Sequence, residues 1–181
     1  MFNWFKKKEN TGQTQPSYDP NNIPLNKLRK GSFLDYDLKT WEVKAVYEYD
    51  WGNDYFADEF QLEQGREIYF LYVEEDGEFY CTLNKRINPH ELPEDVLDTT
   101  IEKGSPPMRI QFQEEIYYRQ SENMGYNRSS EQTEWSELIS WSYANKAEDK
   151  LMTLEQWGDQ DFQASVGFKV RDIEFSNIIM P

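Results

Sequence analysis

The stretch from Thr40 to Leu62, TWEVKAVYEYDWGNDYFADEFQL, constrains the fold more than any other part of the chain. Trp41, Val43, Ala45, Tyr47 and Tyr49 recur at every second position, with Glu42, Lys44, Glu48 and Asp50 among them. Successive side chains of a strand point to opposite faces, so this alternation of aromatic and β-branched residues with charges predicts a half-buried strand. Trp51-Gly52-Asn53-Asp54 supplies turn residues, and Phe56, Phe60 and Leu62 resume the apolar pattern. The stretch therefore reads as a β-hairpin, which is a scaffold and not an activity.

The rest of the chain repeats the theme. Lys30-Gly31-Ser32 is a turn signal ahead of a short strand over Phe33–Leu38. Glu67–Val73 carries Ile68, Phe70 and Tyr72 on one face and Tyr69, Leu71 and Val73 on the other, as a strand covered on both sides would. Asp76-Gly77 is a hairpin turn, and Phe79, Cys81 and Leu83 alternate after it. Residues 88–102, with Pro89 and Pro93, read as a linker containing one helical turn. Lys103-Gly104-Ser105 then repeats the earlier triplet, followed by Met108, Ile110 and Phe112, then Ile116 and Tyr118. Asn123–Ser130 takes the place of the Trp51–Tyr55 turn, and Glu134–Leu138 that of Ala57–Phe60. Leu151–Glu155 with Gly158 matches Leu71–Glu74 with Gly77. Features kept in order at slowly widening separations are what a duplicated unit with loop insertions would give. The expectation is an all-β protein of two tandem antiparallel units, 23–87 and 103–181, of about five strands each. They are related by a pseudo-two-fold duplication and close into a barrel-like or sandwich form.

Charge narrows the function. The chain has a formal net charge of −15 and a pI near 4.5. Such a surface repels phosphate backbones, and the basic runs Lys6–Lys8 and Lys27–Lys30 have no stacking platform beside them, so no nucleic-acid partner is expected. The longest apolar run, Ile68–Val73, is far shorter than a membrane-spanning helix. One cysteine excludes an internal disulfide, and no secretion signal is evident, which points to the cytoplasm.

The residues that carry chemistry are few. His90 is the only imidazole, and it lies in the Pro-rich segment; Cys81 alternates with Phe79 and Leu83 as a small buried hydrophobe would. No catalytic pair is expected from them. Asp35, Asp37, Asp50, Asp54, Asp58 and Glu59 crowd the organising hairpin, yet Asp50–Asp54 lacks the alternate-residue spacing of a calcium loop. A solvated acidic face accounts for these charges. No Gly-rich phosphate cradle is present. No catalytic, cofactor-binding or metal-ligating residue is assigned.

The first 22 residues read as a flexible, polar, Pro-bearing tail that opens with MFNWFKKK. Phe2, Trp4, Phe5, Lys6, Lys7 and Lys8 are either a loosely packed terminus or a weak peripheral membrane contact, with aromatics at the headgroups and lysines facing anionic lipid. At the hairpin tips, Trp51, Tyr55 and Tyr126 with Asp54 are the candidate recognition residues, because a turn offers a large aromatic little core to fill.

The strings DYDLKTWEVKAVYEYDWGNDYFADEFQL, EWSELISW, LEQWGDQDFQASVG and EFSNIIMP resemble the bacterial family known as domain of unknown function 4178, from about Leu28 to Pro181. The shared positions are scattered aromatic, Glu and Gly residues and not a compact catalytic motif. Genes of that family lie near those for membrane-stress proteins, small membrane proteins and polyamine aminopropyltransferases, so the resemblance implies an accessory role.

Three readings follow. The first is a non-enzymatic interaction module with a protein partner, in a cytoplasmic complex that is peripheral to the inner membrane if the tail binds lipid. The second is a binder of a small cation such as a polyamine, drawn by acids and aromatics together. An enzyme is the third and least favoured, and no cofactor is expected. A preformed acidic-aromatic cavity would favour the second; a flat aromatic patch would favour the first.

Overall fold

In the computed structural model, residues 23–181 are described; the segment holding Phe2, Trp4, Phe5 and Lys6–Lys8 lies outside them. The predicted hairpin forms. After β1 (Phe33–Tyr36), strand β2 (Lys39–Asp50) turns at Gly52–Asp54 into β3 (Phe56–Gln64). The turn is closed by the Trp51 amide donating to the Tyr55 carbonyl at 2.9 Å. The alternation within β2 is not continuous, however. A bulge between Val43 and Ala45 shifts the register against β3 and reverses the faces beyond it. Trp41, Val43 and Val46 thereby share one core, while Tyr47 and Tyr49 turn to the opposite face.

The meander continues through β4 (Glu67–Asp76) and β5 (Glu78–Ile87). A helix, α1 (Glu94–Lys103), then precedes a second meander: β6 (Arg109–Phe112), β7 (Glu115–Ser129), β8 (Ser136–Asn145), β9 (Leu151–Gln156) and β10 (Phe162–Val170). A short strand, β11 (Ser176–Ile179), ends the chain. All eleven strands belong to one antiparallel sheet in the order β11-β1-β2-β3-β4-β5-β10-β9-β8-β7-β6. An additional pairing of β2 with β7, Tyr47–Asp50 against Tyr126–Ser129, joins eight of them into a ring. The fold is all-β and barrel-like.

The two meanders have the same connectivity, and both seams join strands of equal rank, β2 with β7 and β5 with β10. Each KGS triplet leads into the first strand of its meander. Gly31 and Gly104 both adopt left-handed backbone, at φ 86° and 71°, where a side chain would be strained.

Two apolar cores lie on the outer face of this ring. Trp41, Phe60, Leu62, Leu71 and Leu83 form one buried core, closed from outside by Leu25 and Leu28 of the leading segment and by Phe175. Trp141, Tyr143, Met152 and Leu154 form the other, closed by Leu92, Val96, Ile110 and Phe112. Residues 88–102 are therefore more than the expected linker: α1 caps the second core, with Val96 and Thr100 one turn apart on its buried face. The expected turn at Asn123–Ser130 is also absent. That segment continues β7, because β2 offers it a second line of backbone partners; the chain reverses over 130–135 instead.

Candidate functional site

Closing the ring places the other face of every strand inside it. The cavity within the ring has a volume of about 630 Å³, opens to solvent and takes its lining from all eight ring strands. Its walls are polar as well as aromatic. On β5, Tyr80, Thr82, Asn84 and Arg86 alternate with the core residues Phe79, Cys81 and Leu83. On β9 and β10, Thr153, Glu155, Gln163 and Ser165 do the same against Met152, Leu154 and Ala164. Where β5 and β10 pair, a Cβ on Gly167 would stand 2.2 Å from Asn84 Oδ1 and 2.4 Å from the Leu83 carbonyl, so only glycine fits that close approach.

Two carboxylates and one cation sit deep in this lumen. Glu59 and Glu155 are only 8% and 9% exposed. Arg86 Nη2 donates to Glu59 Oε2 at 2.8 Å, and the guanidinium lies 4.0 Å from the centroid of Phe70. Arg86 is thus committed to Glu59. Glu155 accepts an amide hydrogen from Gln163 Nε2 at 3.1 Å and, among the described residues, makes no ion pair. Loss of hydration and the neighbouring charge of Glu59 push its carboxyl up to about 8, with Arg86 opposing them. Burial raises Glu59 as well, opposed by Arg86 and the Tyr49 hydroxyl. In the free protein near neutral pH, Glu155 therefore holds a proton and Glu59 holds the guanidinium.

Aromatics line the approach to these acids. Tyr49 stacks on Trp51 at 5.3 Å and meets Tyr72 edge-on at 5.8 Å. Trp51 Nε1 donates to the Tyr72 hydroxyl at 2.9 Å. Tyr72 donates in turn to Glu74 Oε1 at 2.7 Å, and Tyr55 donates to the other oxygen of Glu74. This chain of bonds fixes electron-rich ring faces beside carboxylates. Trp51 keeps its place because β7 passes close beneath it: a Cβ on Gly125 would lie 2.6 Å from the indole.

The expected recognition residues are thereby sorted. Trp51 is half-buried and bonded into the lumen wall, so it is not a free tip. Tyr55 is 38% exposed at the same wall, and Asp54 is exposed at the turn, with left-handed backbone. Tyr126 is 45% exposed and lies on β7, with its hydroxyl 3.5 Å from Glu137 Oε1; it lines a second cavity that shares Trp51 with the lumen. Of the acids in the hairpin, Glu59 enters the lumen, while Asp35 and Thr40 bond each other at the surface at 2.5 Å. Glu155, Arg86 and Gln163 were not marked by the sequence, since a polar face of a strand looks the same whether it meets solvent or a lumen. Cys81 is 2% exposed in the first core, and burial pushes its thiol up to about 12. His90 is exposed on a single 3-10 turn and lines neither cavity.

Among the described residues no helix is long and apolar enough to cross a membrane. The sequence profile of the family described as Domain of unknown function (DUF4178) matches residues 29–172. A relative from Aquifex aeolicus (strain VF5), described as an uncharacterized protein, is 26% identical over 156 residues, which span 86% of this chain and 85% of the relative. No solved structure matches the chain.

Proposed function

Since the chain belongs to the DUF4178 family, whose description carries no chemistry, we infer its role from the lumen and propose that it binds a small organic cation there. The observation that carries this reading is Glu155: a carboxylate nine-tenths buried, inside an aromatic-walled cavity, whose nearest guanidinium is already held by another acid. An isolated buried carboxylate is unfavourable as an anion and takes up a proton instead. An ammonium entering the lumen offers it a counter-charge, and the faces of Tyr49, Trp51 and Tyr72 stabilise the same cation. The ligand class is a small amine, a polyamine being one example. The role is binding without catalysis: the thiol lies outside the lumen in a core, and the imidazole lies at the surface.

The test is thermal-shift and equilibrium titration against small mono-, di- and polyamines, with neutral and anionic analogues as controls. Amines should raise the melting temperature and the analogues should not. Binding should strengthen between pH 7 and pH 8.5 as Glu155 loses its proton, and Glu155→Gln should abolish it. Equal amine binding by Glu155→Gln would remove this reading.

A further inference from the structure

A second half-buried carboxylate of the lumen, Glu74 on β4, also lacks a cation: among the described residues it is in no salt bridge. It accepts from the Tyr72 hydroxyl at 2.7 Å and from the Tyr55 hydroxyl. Both donors are neutral phenols, since burial and Glu74 itself push each hydroxyl up, so the charge of Glu74 stays uncompensated. The strand register sets its depth. Glu59 lies opposite Tyr72, and Glu74 follows two residues farther along β4, beside the turn at Gly77. With about 3.4 Å per residue and about 4.8 Å between strands, its Cα stands about 8 Å from that of Glu59. Glu155 belongs to the Glu59 level, because β3 and β9 lie opposite each other in the ring and each acid senses the other. Tyr49, beside Glu59 and Glu155, and Tyr72, bonded to Glu74, bridge the two levels with rings that meet edge-on at 5.8 Å.

We propose that the lumen takes a straight-chain diamine, with one ammonium on Glu155, the other on Glu74, and the alkyl spacer along the aromatic wall between them. This rests on the amine reading above and adds a second anchor to it. A monoamine meets Glu155 alone and leaves Glu74 without a counter-charge. The ring faces between the two acids suit methylenes, which lose no hydrogen bond there. An ammonium sits about 2.8 Å from a carboxylate oxygen, so anchors about 8 Å apart suit a spacer of about four carbons with bonds of about 1.5 Å. Lys169 is the opposing group at this end: its ammonium lies 5.9 Å from the Tyr80 centroid and, among the described residues, is in no salt bridge. It would draw a ligand whose outer end is a carboxylate. Lys169 is exposed, however, whereas Glu74 is half-buried and would repel that carboxylate. Glu148 also lines the cavity, but it is exposed and adds only to the attraction of cations.

Calorimetric titration of the full chain near pH 8.5 compares butylamine, the diamine of equal carbon number, and the amino acid that carries a carboxylate in place of the second amine. The diamine should bind about tenfold tighter than butylamine, as a second charge-assisted bond implies. Affinity should fall when the spacer is shortened to about two carbons or lengthened to about eight. Glu74→Gln should lower the diamine to the affinity of butylamine and leave butylamine unchanged. Equal affinity of the parent protein for diamine and butylamine overturns the second anchor and leaves the amine reading standing; that comparison needs no variant to fold. A diamine preference that persists in Glu74→Gln overturns it as well. Tighter binding of the amino acid than of the diamine overturns it in favour of Lys169 as the outer anchor. Failure of every amine to bind removes the amine reading, and the second anchor with it.

Discussion

Replacing Glu155 by Gln separates the cost of the lumen from its use. The side chain is 9% exposed, and its carboxyl rises from 4.5 in an open chain to about 8 in the fold. At about 1.4 kcal/mol for each pH decade, that gap corresponds to about 5 kcal/mol. The sign follows from which state holds the proton. Below about pH 4.5 both folded and unfolded chains are protonated at this site, and burial carries no ionisation penalty. Between about 4.5 and 8 the folded protein holds the extra proton, so stability falls as pH rises; above about 8 the whole penalty is in force. Gln mimics the protonated acid in shape and keeps a polar group opposite Gln163. Glu155→Gln should thus match the parent near pH 5, exceed it by several kcal/mol near pH 9, and flatten the decline between. Urea unfolding at half-unit intervals of pH measures this directly. A variant no more stable than the parent at pH 9 would refute the buried, singly unpaired carboxylate. The complementary change, Glu59→Gln, frees Arg86 to face Glu155, and should move the pH-dependent decline to lower pH.

Other consequences are local. Trp51→Ala loses a stacked ring, the bond to Tyr72 and part of the lumen wall, and should cost about 2–4 kcal/mol in chemical denaturation. Gly125→Ala places a methyl into the Trp51 ring and should cost about 1–3 kcal/mol, with a shift in tryptophan emission that Gly125→Ala/Trp51→Ala does not show. Cys81 should resist a thiol reagent at pH 8 in the native protein and react at once in denaturant. His90→Ala should leave stability and amine binding unchanged. An internal duplication, supported by the equal connectivity of the two meanders, requires β1–β5 and β6–β10 to superpose strand for strand in experimental coordinates.

What the sequence made legible was the class of element and its order. Period-two runs marked most of the strands, and the repeated KGS triplets marked the start of each meander. Glu67–Val73 was read as covered on both faces, and it is: Leu71 and Val73 meet the outer core while Phe70 and Tyr72 face the lumen. Three things stayed hidden for physical reasons. The bulge at Val43/Ala45 conserves composition while exchanging faces, so Trp41 and Tyr49 seemed to share a side that they do not share. The β2–β7 seam joins distant residues through backbone bonds and an Arg128–Glu48 ion pair, and no local sequence pattern marks either. The site followed from that seam. Thr82, Arg86 and Glu155 read as a solvated face until ring closure enclosed them.

The central claim, that the lumen exchanges a proton for an organic cation, is tested most directly by calorimetric titration of the full chain with small amines at pH 7. The titration is run in two buffers of different ionisation enthalpy. With Glu155 protonated in the free protein, the account predicts saturable binding that releases close to one proton per site. That release should vanish at pH 9.5, where the carboxylate is already bare. Saturable binding with heats independent of the buffer, or no binding by any amine in the series, would contradict it.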